Sequence, residues 1–119
     1  MITVFYTDYY ENVSEENLEL TLEECIELFS ETIDLVDNFF GLQVGKHIIQ
    51  FHCDEDRILV EVLNPPTLLN PQMYASKEQC IDIIKETYSK QTIFVYPNMK
   101  LVDVRKQSLD DVLEKELKG

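Results

Sequence analysis

Two helices can be located in this sequence from the way each begins, and they restrict the folds that the chain can adopt. Thr21 is followed three residues later by Glu24, and Ser76 by Gln79. This spacing matches a capping box, in which each side chain accepts a hydrogen bond from the other residue's backbone amide. The apolar residues behind each box recur at three- and four-residue steps, which is typical of a helix with one buried face. These residues are Leu22, Cys25, Ile26, Phe29, Ile33 and Val36 in the first helix and Cys80, Ile81, Ile84 and Tyr88 in the second.

Runs of β-branched and aromatic residues predict strands around these helices. The predicted strands are residues 2–10, 46–53, 57–63 and 91–96, with weaker candidates at 101–105 and, as a short edge strand, 67–74. A turn at residues 54–56 joins two of them into a hairpin, and residues 64–66 (Asn-Pro-Pro) end the second, because proline cannot donate to a strand ladder. We also expect a polar connection at residues 12–20, a helix stop at Gly41 and a short final helix that begins at Ser108.

These elements predict an α+β fold. Neighbouring strands joined by a short turn favour antiparallel pairing. Helices with one apolar face bury that face against a sheet. With 119 residues the chain has the ordinary size of one domain. We therefore expect a single α+β domain over residues 1–119, with a mostly antiparallel sheet, two main helices on one face and a short C-terminal helix.

The charge of the chain is concentrated at its N-terminal end. The first 45 residues contain eleven carboxylates and no lysine or arginine, whereas the remainder carries twelve acids and ten bases. The formal net charge is −13. Such a field costs stability through self-repulsion, but it speeds the oriented capture of an oppositely charged partner. The charge therefore predicts a protein that binds a basic partner, and it argues against direct binding of nucleic acid.

The acids of the first predicted helix form a stripe on its polar side. Glu23, Glu27, Glu31 and Asp34 follow one another at steps of four, four and three residues. Like charges four residues apart cost about 0.2–0.5 kcal/mol per pair, and this helix has no lysine or arginine to relieve them. A solvated helix face would normally alternate Glu with Lys. We interpret the stripe as a docking surface for Lys and Arg side chains, with an ordinary solvated face as the alternative.

Aromatic and acidic residues near the N-terminus extend this predicted surface. Tyr9 and Tyr10 precede Glu15 and Glu16 closely in the chain. Tyrosine is favoured in interface hot spots, because it supplies a large contact area at a low entropy cost. The alternative is that these rings pack against the core, since the side chains of a strand alternate between its faces. We include all four residues in the predicted partner-binding surface.

No residue pattern predicts catalysis, a cofactor or a metal site. The chain has no Gly-rich phosphate loop, nucleophile elbow or zinc-protease helix. His47 and His52 are five residues apart on one predicted strand, so they point to opposite faces, and no second Cys or His pair completes a zinc site. We expect a non-enzymatic protein that needs no cofactor.

The predicted location is the cytoplasm. Cys25, Cys53 and Cys80 are odd in number and lie among apolar residues, which favours buried free thiols in a reducing compartment. The N-terminus lacks the basic start and apolar stretch of a secretory signal. No apolar run approaches the ~18–20 residues of a membrane helix, so no membrane contact is expected.

The whole pattern resembles one family of bacterial proteins. A small acidic α+β domain, with the order strand, acidic helix, hairpin, Ser76-initiated helix and strand over roughly residues 1–96, is similar to the immunity proteins of polymorphic toxin systems. These systems include those of contact-dependent growth inhibition. The resemblance implies a stoichiometric inhibitor that binds a cognate toxin domain, often a basic nuclease, and covers its active site or an exosite. It assigns no role to individual residues.

Three other functions are compatible with the sequence. A nucleic-acid mimic would use the same acidic surface to block a host DNA-binding or defence protein. A non-catalytic adaptor subunit would present that surface to a basic subunit of a complex. A small-molecule enzyme would need a pocket with perturbed titratable groups, which the sequence does not reveal.

Overall fold

In the computed structural model, which describes residues 1–63 and 69–118, one antiparallel sheet forms the centre of the protein. The described residues form seven strands and three helices. In chain order these are β1 (Ile2–Asp8), β2 (Val13–Leu18), α1 (Leu22–Thr32), β3 (Phe39–Val44), β4 (His47–Asp54), β5 (Arg57–Leu63), β6 (Leu69–Ala75), α2 (Lys77–Lys90), β7 (Lys100–Asp103) and α3 (Leu109–Lys118). The order across the sheet is β2-β1-β3-β4-β5-β6-β7, and every neighbouring pair is antiparallel. The predicted α+β fold is confirmed.

Helices α1 and α2 cover one face of the sheet. Alternate residues of the central strands are buried on this face, and they form one core with the apolar sides of the two helices. At its centre the ring of Phe29 from α1 makes edge-to-face contacts with Phe40 and Phe51, at centroid distances of 5.4 Å and 5.3 Å. Burial of this apolar surface is the main favourable contribution to folding, and it holds α1 against the sheet.

The two capping boxes are present as predicted. The Thr21 hydroxyl accepts a hydrogen bond from the Glu24 amide at 3.1 Å, and the Glu24 carboxylate accepts one from the Thr21 amide at 2.9 Å. Ser76 and Gln79 make the same two bonds at the start of α2. These bonds satisfy amides that have no partner inside the helix, so the sequence determines both helix starts locally.

The predicted end of the first helix was wrong. Helix α1 ends at Thr32, and Gly41 lies within β3 rather than at a helix C-terminus. Gly41 pairs with Phe5 of β1, and a Cβ atom at Gly41 would overlap the Phe5 ring. The glycine therefore makes room for an aromatic side chain across the sheet, a role that depends on the pairing of two distant strands.

Three strand predictions also need correction. Residues 13–18, expected in a polar connection, form the edge strand β2, whose exposed side tolerates polar side chains. Residues 91–96, expected to be a strand, form no strand, and Ile93 and Tyr96 instead pack against the core. Within the described part of residues 67–74, β6 lies between β5 and β7 and is not an edge strand. The predicted stop at residues 64–66 lies outside the described residues.

The C-terminal segment packs on the sheet face opposite to α1 and α2. The Asp110 carboxylate of α3 accepts hydrogen bonds from Arg57 at 2.8 Å and from the Tyr74 hydroxyl at 3.0 Å. Both partners alternate with core residues along their strands, so they project from the far face. The Arg57 guanidinium also lies 3.8 Å above the Tyr74 ring, and Lys100 pairs with Glu116 of α3 at 3.1 Å. The predicted final helix is confirmed, and the strand predicted at residues 101–105 is confirmed as far as Asp103, where β7 ends.

All three cysteines are free and buried, as the sequence predicts. Burial raises the pKa of Cys25 to about 11, although a hydrogen bond with Tyr88 opposes the shift, and burial alone raises that of Cys80 to about 12. A thiolate is the reactive form of cysteine, so both thiols should be inert in the folded protein.

We expect Cys25 and Cys80 to resist alkylation by iodoacetamide at pH 8, with rates at least about 100-fold below those of the denatured chain. Mass spectrometry of peptides after timed alkylation would measure each site. The same reaction in guanidinium chloride is the control and should label all three cysteines rapidly. Rapid labelling of either thiol in the native protein would contradict the described burial.

Candidate functional site

The solvent side of α1 carries a row of unpaired carboxylates. Glu23, Glu27 and Glu31 are all exposed and lie one turn apart. Within the part of the chain that the structure describes, none of the three makes an ion pair or a side-chain hydrogen bond. The acids elsewhere in the described chain that do form ion pairs include Asp54, Asp103, Asp110, Glu114 and Glu116. The row on α1 is therefore available to charges outside the molecule.

Asp34, the fourth residue of the predicted stripe, lies apart from this row. Because α1 ends at Thr32, Asp34 falls in the connection to β3. Its carboxylate accepts a hydrogen bond from the Lys77 ammonium at the start of α2, at 3.0 Å. The assignment of Asp34 to the helix was therefore wrong, and part of its charge is compensated within the protein.

Glu15 lies near the Glu31 end of the row on α1, whereas Glu16 does not. The Tyr6 hydroxyl donates a hydrogen bond to Glu15 at 3.0 Å. Burial raises the pKa of Tyr6, and Glu15, Asp8 and Glu31 raise it further, so carboxylates of β2 and α1 lie around the same ring. Glu16 instead lines the opposite sheet face beside Phe5. We call Glu15, Glu23, Glu27 and Glu31 the acidic surface.

The two predicted tyrosines lie at one end of the sheet, beside the acidic surface. Tyr9 and Tyr10 occupy the turn between β1 and β2, and each is 61% exposed. With the connection from α1 to β3 and the end of β4 they line a cleft of about 420 Å³. We call this the aromatic cleft, lined by Tyr9, Tyr10, Val36, Asp37, Phe39 and His52. Of the N-terminal tyrosines, Tyr6 packs against the core, whereas Tyr9 and Tyr10 do not.

One buried side chain holds the parts of this cleft together. Asn38 is fully buried, and its side-chain oxygen accepts a hydrogen bond from the Tyr9 amide at 2.9 Å. Its side-chain amide donates to the Thr32 carbonyl at the end of α1, at 3.1 Å. Its backbone carbonyl accepts from the Cys53 amide of β4 at 3.0 Å. Asn38 was not predicted from the sequence, because its partners Tyr9 and Cys53 are distant in the chain. The one indication was its residue type, which is common in turns.

Replacing Asn38 with alanine is expected to destabilise the protein by about 2–3 kcal/mol, because the Thr32 carbonyl and the Tyr9 amide would lose their partners. Urea denaturation followed by circular dichroism would measure the loss. Asn98→Ala, at an exposed position, is the matched control and should stay within about 0.5 kcal/mol of the wild type. Equal stability of the two variants would show that Asn38 does not organise the cleft.

The carboxylate of Asp8 is also fixed at this end of the sheet. Partial desolvation acts to raise its pKa, but hydrogen bonds from Glu11, Asn38 and Tyr10 outweigh that effect and lower the pKa below its usual value. Its oxygen accepts from the Tyr10 and Glu11 amides at 3.0 Å and 3.1 Å. The turn that carries the two tyrosines is therefore held from within by an ionised acid.

Neither a metal site nor a membrane helix is found in the described residues. Among residues 1–63 and 69–118, no group of three or more His, Cys, Asp or Glu side chains could hold a metal ion. No helix in these ranges is both long enough and apolar enough to span a membrane.

Comparisons of this chain with models of protein families, with curated proteins and with solved structures each gave no significant match.

Proposed function

We propose that this chain is an acidic immunity protein, of the antitoxin type, that acts in the cytoplasm. It binds a cognate basic toxin domain, for which a nuclease is the expected class, and neutralises it by covering its active site or an exosite. The carrying observation is the acidic surface, where Glu23, Glu27 and Glu31 lie exposed in a row with no cationic partner among the described residues. The proposed role is stoichiometric binding, without catalysis and without a cofactor.

The proposal follows from the chemistry of a nuclease site. Such a site is positively charged, because its substrate is a polyanion. Carboxylates in a row can occupy it in place of phosphates. Electrostatic attraction of this kind raises association rates towards about 10⁸–10⁹ M⁻¹s⁻¹ at low salt. The regular repulsion within α1 is then the cost of a surface whose counter-charges belong to the partner.

The regular spacing also supports a second candidate, a nucleic-acid mimic that blocks a host DNA-binding or defence protein. The rise of an α-helix places Glu23, Glu27 and Glu31 about 6 Å apart along the helix axis, on one face. A mimic requires such a regular row of negative charges, and it would compete with any duplex. A non-catalytic adaptor subunit would use the same surface without inhibiting its partner.

An affinity pull-down distinguishes these roles. The tagged protein would be incubated with lysate of its native cell and washed at low and at high salt, and the retained proteins would be identified by mass spectrometry. We expect one basic toxin-like domain in a one-to-one ratio, and its activity should fall when the purified chain is added. Capture of a host DNA-binding protein would favour the mimic. Retention of nothing even at low salt would contradict every protein-binding role proposed here.

A further inference from the structure

We propose that the aromatic cleft binds an arginine side chain of the protein partner. This inference deepens the proposed function and rests on it, since it assigns a particular contact to a partner that the acidic surface attracts. The cleft is adjacent to that surface but uses different residues and a different kind of interaction. It would act as the anchor of the interface, while the acidic surface supplies long-range attraction.

The lining of the cleft is suited to a flat cation with an apolar stem. Tyr9 and Tyr10 are both 61% exposed, and the Tyr9 ring contacts Phe39 edge-on at a centroid distance of 6.4 Å. Val36 adds an exposed aliphatic side chain beside them. A guanidinium stacks on tyrosine faces through a cation–π interaction, and its methylene stem packs on apolar groups.

A carboxylate lies in the cleft where the cation would bind. The Asp37 side chain is 75% exposed. The His52 Nε2 atom lies 3.6 Å from one Asp37 oxygen, within ion-pair range of a charged imidazole but beyond hydrogen-bonding distance. The Asp37 carboxylate therefore keeps its hydrogen-bond acceptors for a guanidinium. A carboxylate accepts two parallel hydrogen bonds from a guanidinium, but it cannot do so from an ammonium. This geometry favours arginine over lysine.

The backbone around the cleft is held in place before any partner binds. Asp37 has a φ of +74°, a left-handed conformation that costs about 1–3 kcal/mol for a residue with a side chain. Its amide donates to the Cys53 carbonyl at 2.9 Å, and the next residue, Asn38, makes the buried bonds described above. A rigid cleft loses little entropy on binding, which increases affinity.

The test is an NMR titration of the ¹⁵N-labelled full chain with the peptide acetyl-Gly-Arg-Gly-amide. The same peptide with citrulline in place of arginine keeps the shape and removes the charge, so it is the control ligand. We expect amide shifts at Tyr9–Glu11 and at residues 36–39 that are about two- to fivefold larger with arginine. These shifts should fall about two- to fivefold in Tyr9→Leu/Tyr10→Leu and in Asp37→Asn. They should stay unchanged in Glu78→Gln/Asp82→Asn, which removes two exposed charges from α2, away from the cleft and from the acidic surface.

Three results would overturn this inference: equal shifts with both peptides, shifts confined to α1, or shifts that fall as much in Glu78→Gln/Asp82→Asn as in the variants of the cleft. The two variants of the cleft change different exposed side chains, so misfolding of one leaves the other as a test. If the chain captures a toxin in the pull-down but the arginine peptide causes no shifts in the cleft, only the inference about arginine is refuted. An arginine-specific cleft in a protein that captures no basic partner would instead refute the proposed function.

Discussion

The double substitution Glu27→Lys/Glu31→Lys is expected to weaken binding of the basic partner by about 100-fold or more while the fold persists. Two exposed acids in the centre of the acidic surface would become two bases that face a positive partner. Charge pairs at such interfaces couple by about 1.5–7 kcal/mol, a range that comes from the barnase–barstar complex. Titration calorimetry or surface plasmon resonance with the captured partner would measure the change.

A lysine substitution on α1 is expected to raise the stability of the protein, although it weakens binding of the partner. The single substitution Glu27→Lys replaces two repulsive pairs, with Glu23 and Glu31, by two attractive ones. At about 0.2–0.5 kcal/mol for each repulsion lost and each attraction gained, the free energy of unfolding should rise by about 1–2 kcal/mol at low salt. A gain in stability together with a loss of binding would show that these acids serve a partner.

The matched control places the same charge change on the other main helix. Glu78 and Asp82 are exposed on α2 and also four residues apart. Glu78→Lys/Asp82→Lys therefore alters net charge equally, outside the acidic surface. We expect it to reduce affinity far less than the change on α1. Equal losses would indicate attraction by net charge alone, and unchanged affinity in the α1 variant would remove α1 from the interface.

Phe29→Ala is expected to destabilise the protein by about 3–5 kcal/mol, the usual cost of deleting a fully buried phenylalanine. Its ring contacts Phe40 and Phe51 and fixes α1 on the sheet, so the substitution would leave a cavity under the acidic surface. Such a loss is a large part of the 5–15 kcal/mol that is typical of a domain. Urea denaturation would measure it.

Leu117→Ala is the control for this substitution, because Leu117 is an apolar residue of α3 that is 89% exposed. It should change the free energy of unfolding by less than about 0.5 kcal/mol. A loss below about 1 kcal/mol for Phe29→Ala would mean that the core closes around the cavity, and that α1 does not depend on this ring for its position.

The parts of the fold that the sequence predicted well are those with local causes. Thr21 with Glu24, and Ser76 with Gln79, determine the helix starts through bonds within a single turn. The runs of β-branched and aromatic residues on either side of a short turn likewise predicted β4 and β5. Neither feature depends on where distant parts of the chain lie.

The failures arose where a distant contact decides the outcome. Gly41 resembles a helix stop in the sequence, but it lies in β3 because Phe5 of β1 occupies the space above it. Strand β2 has a polar sequence that only its position at the sheet edge permits. Residues 91–96 have strand-forming side chains, yet they form no strand. Ile93 and Tyr96 are instead partly buried by packing against the core.

In the candidate site, too, only the part with a local cause could be predicted from the sequence. The exposed row of Glu23, Glu27 and Glu31 could be predicted, since helical spacing alone aligns it. The aromatic cleft could not, because the buried Asn38 brings together a turn, a helix end and a strand that are separated in the chain. Asp34 was misplaced for a related reason, since its position depends on where α1 ends and on Lys77 of α2.

We propose that the exposed acids of α1 bind a basic protein. The most direct test of this proposal is a quantitative pull-down in which the wild type and Glu27→Lys/Glu31→Lys capture proteins from the same native lysate. We expect one basic protein to be retained at a one-to-one ratio by the wild type and lost from the variant. Equal retention of that protein by both chains would contradict the proposal.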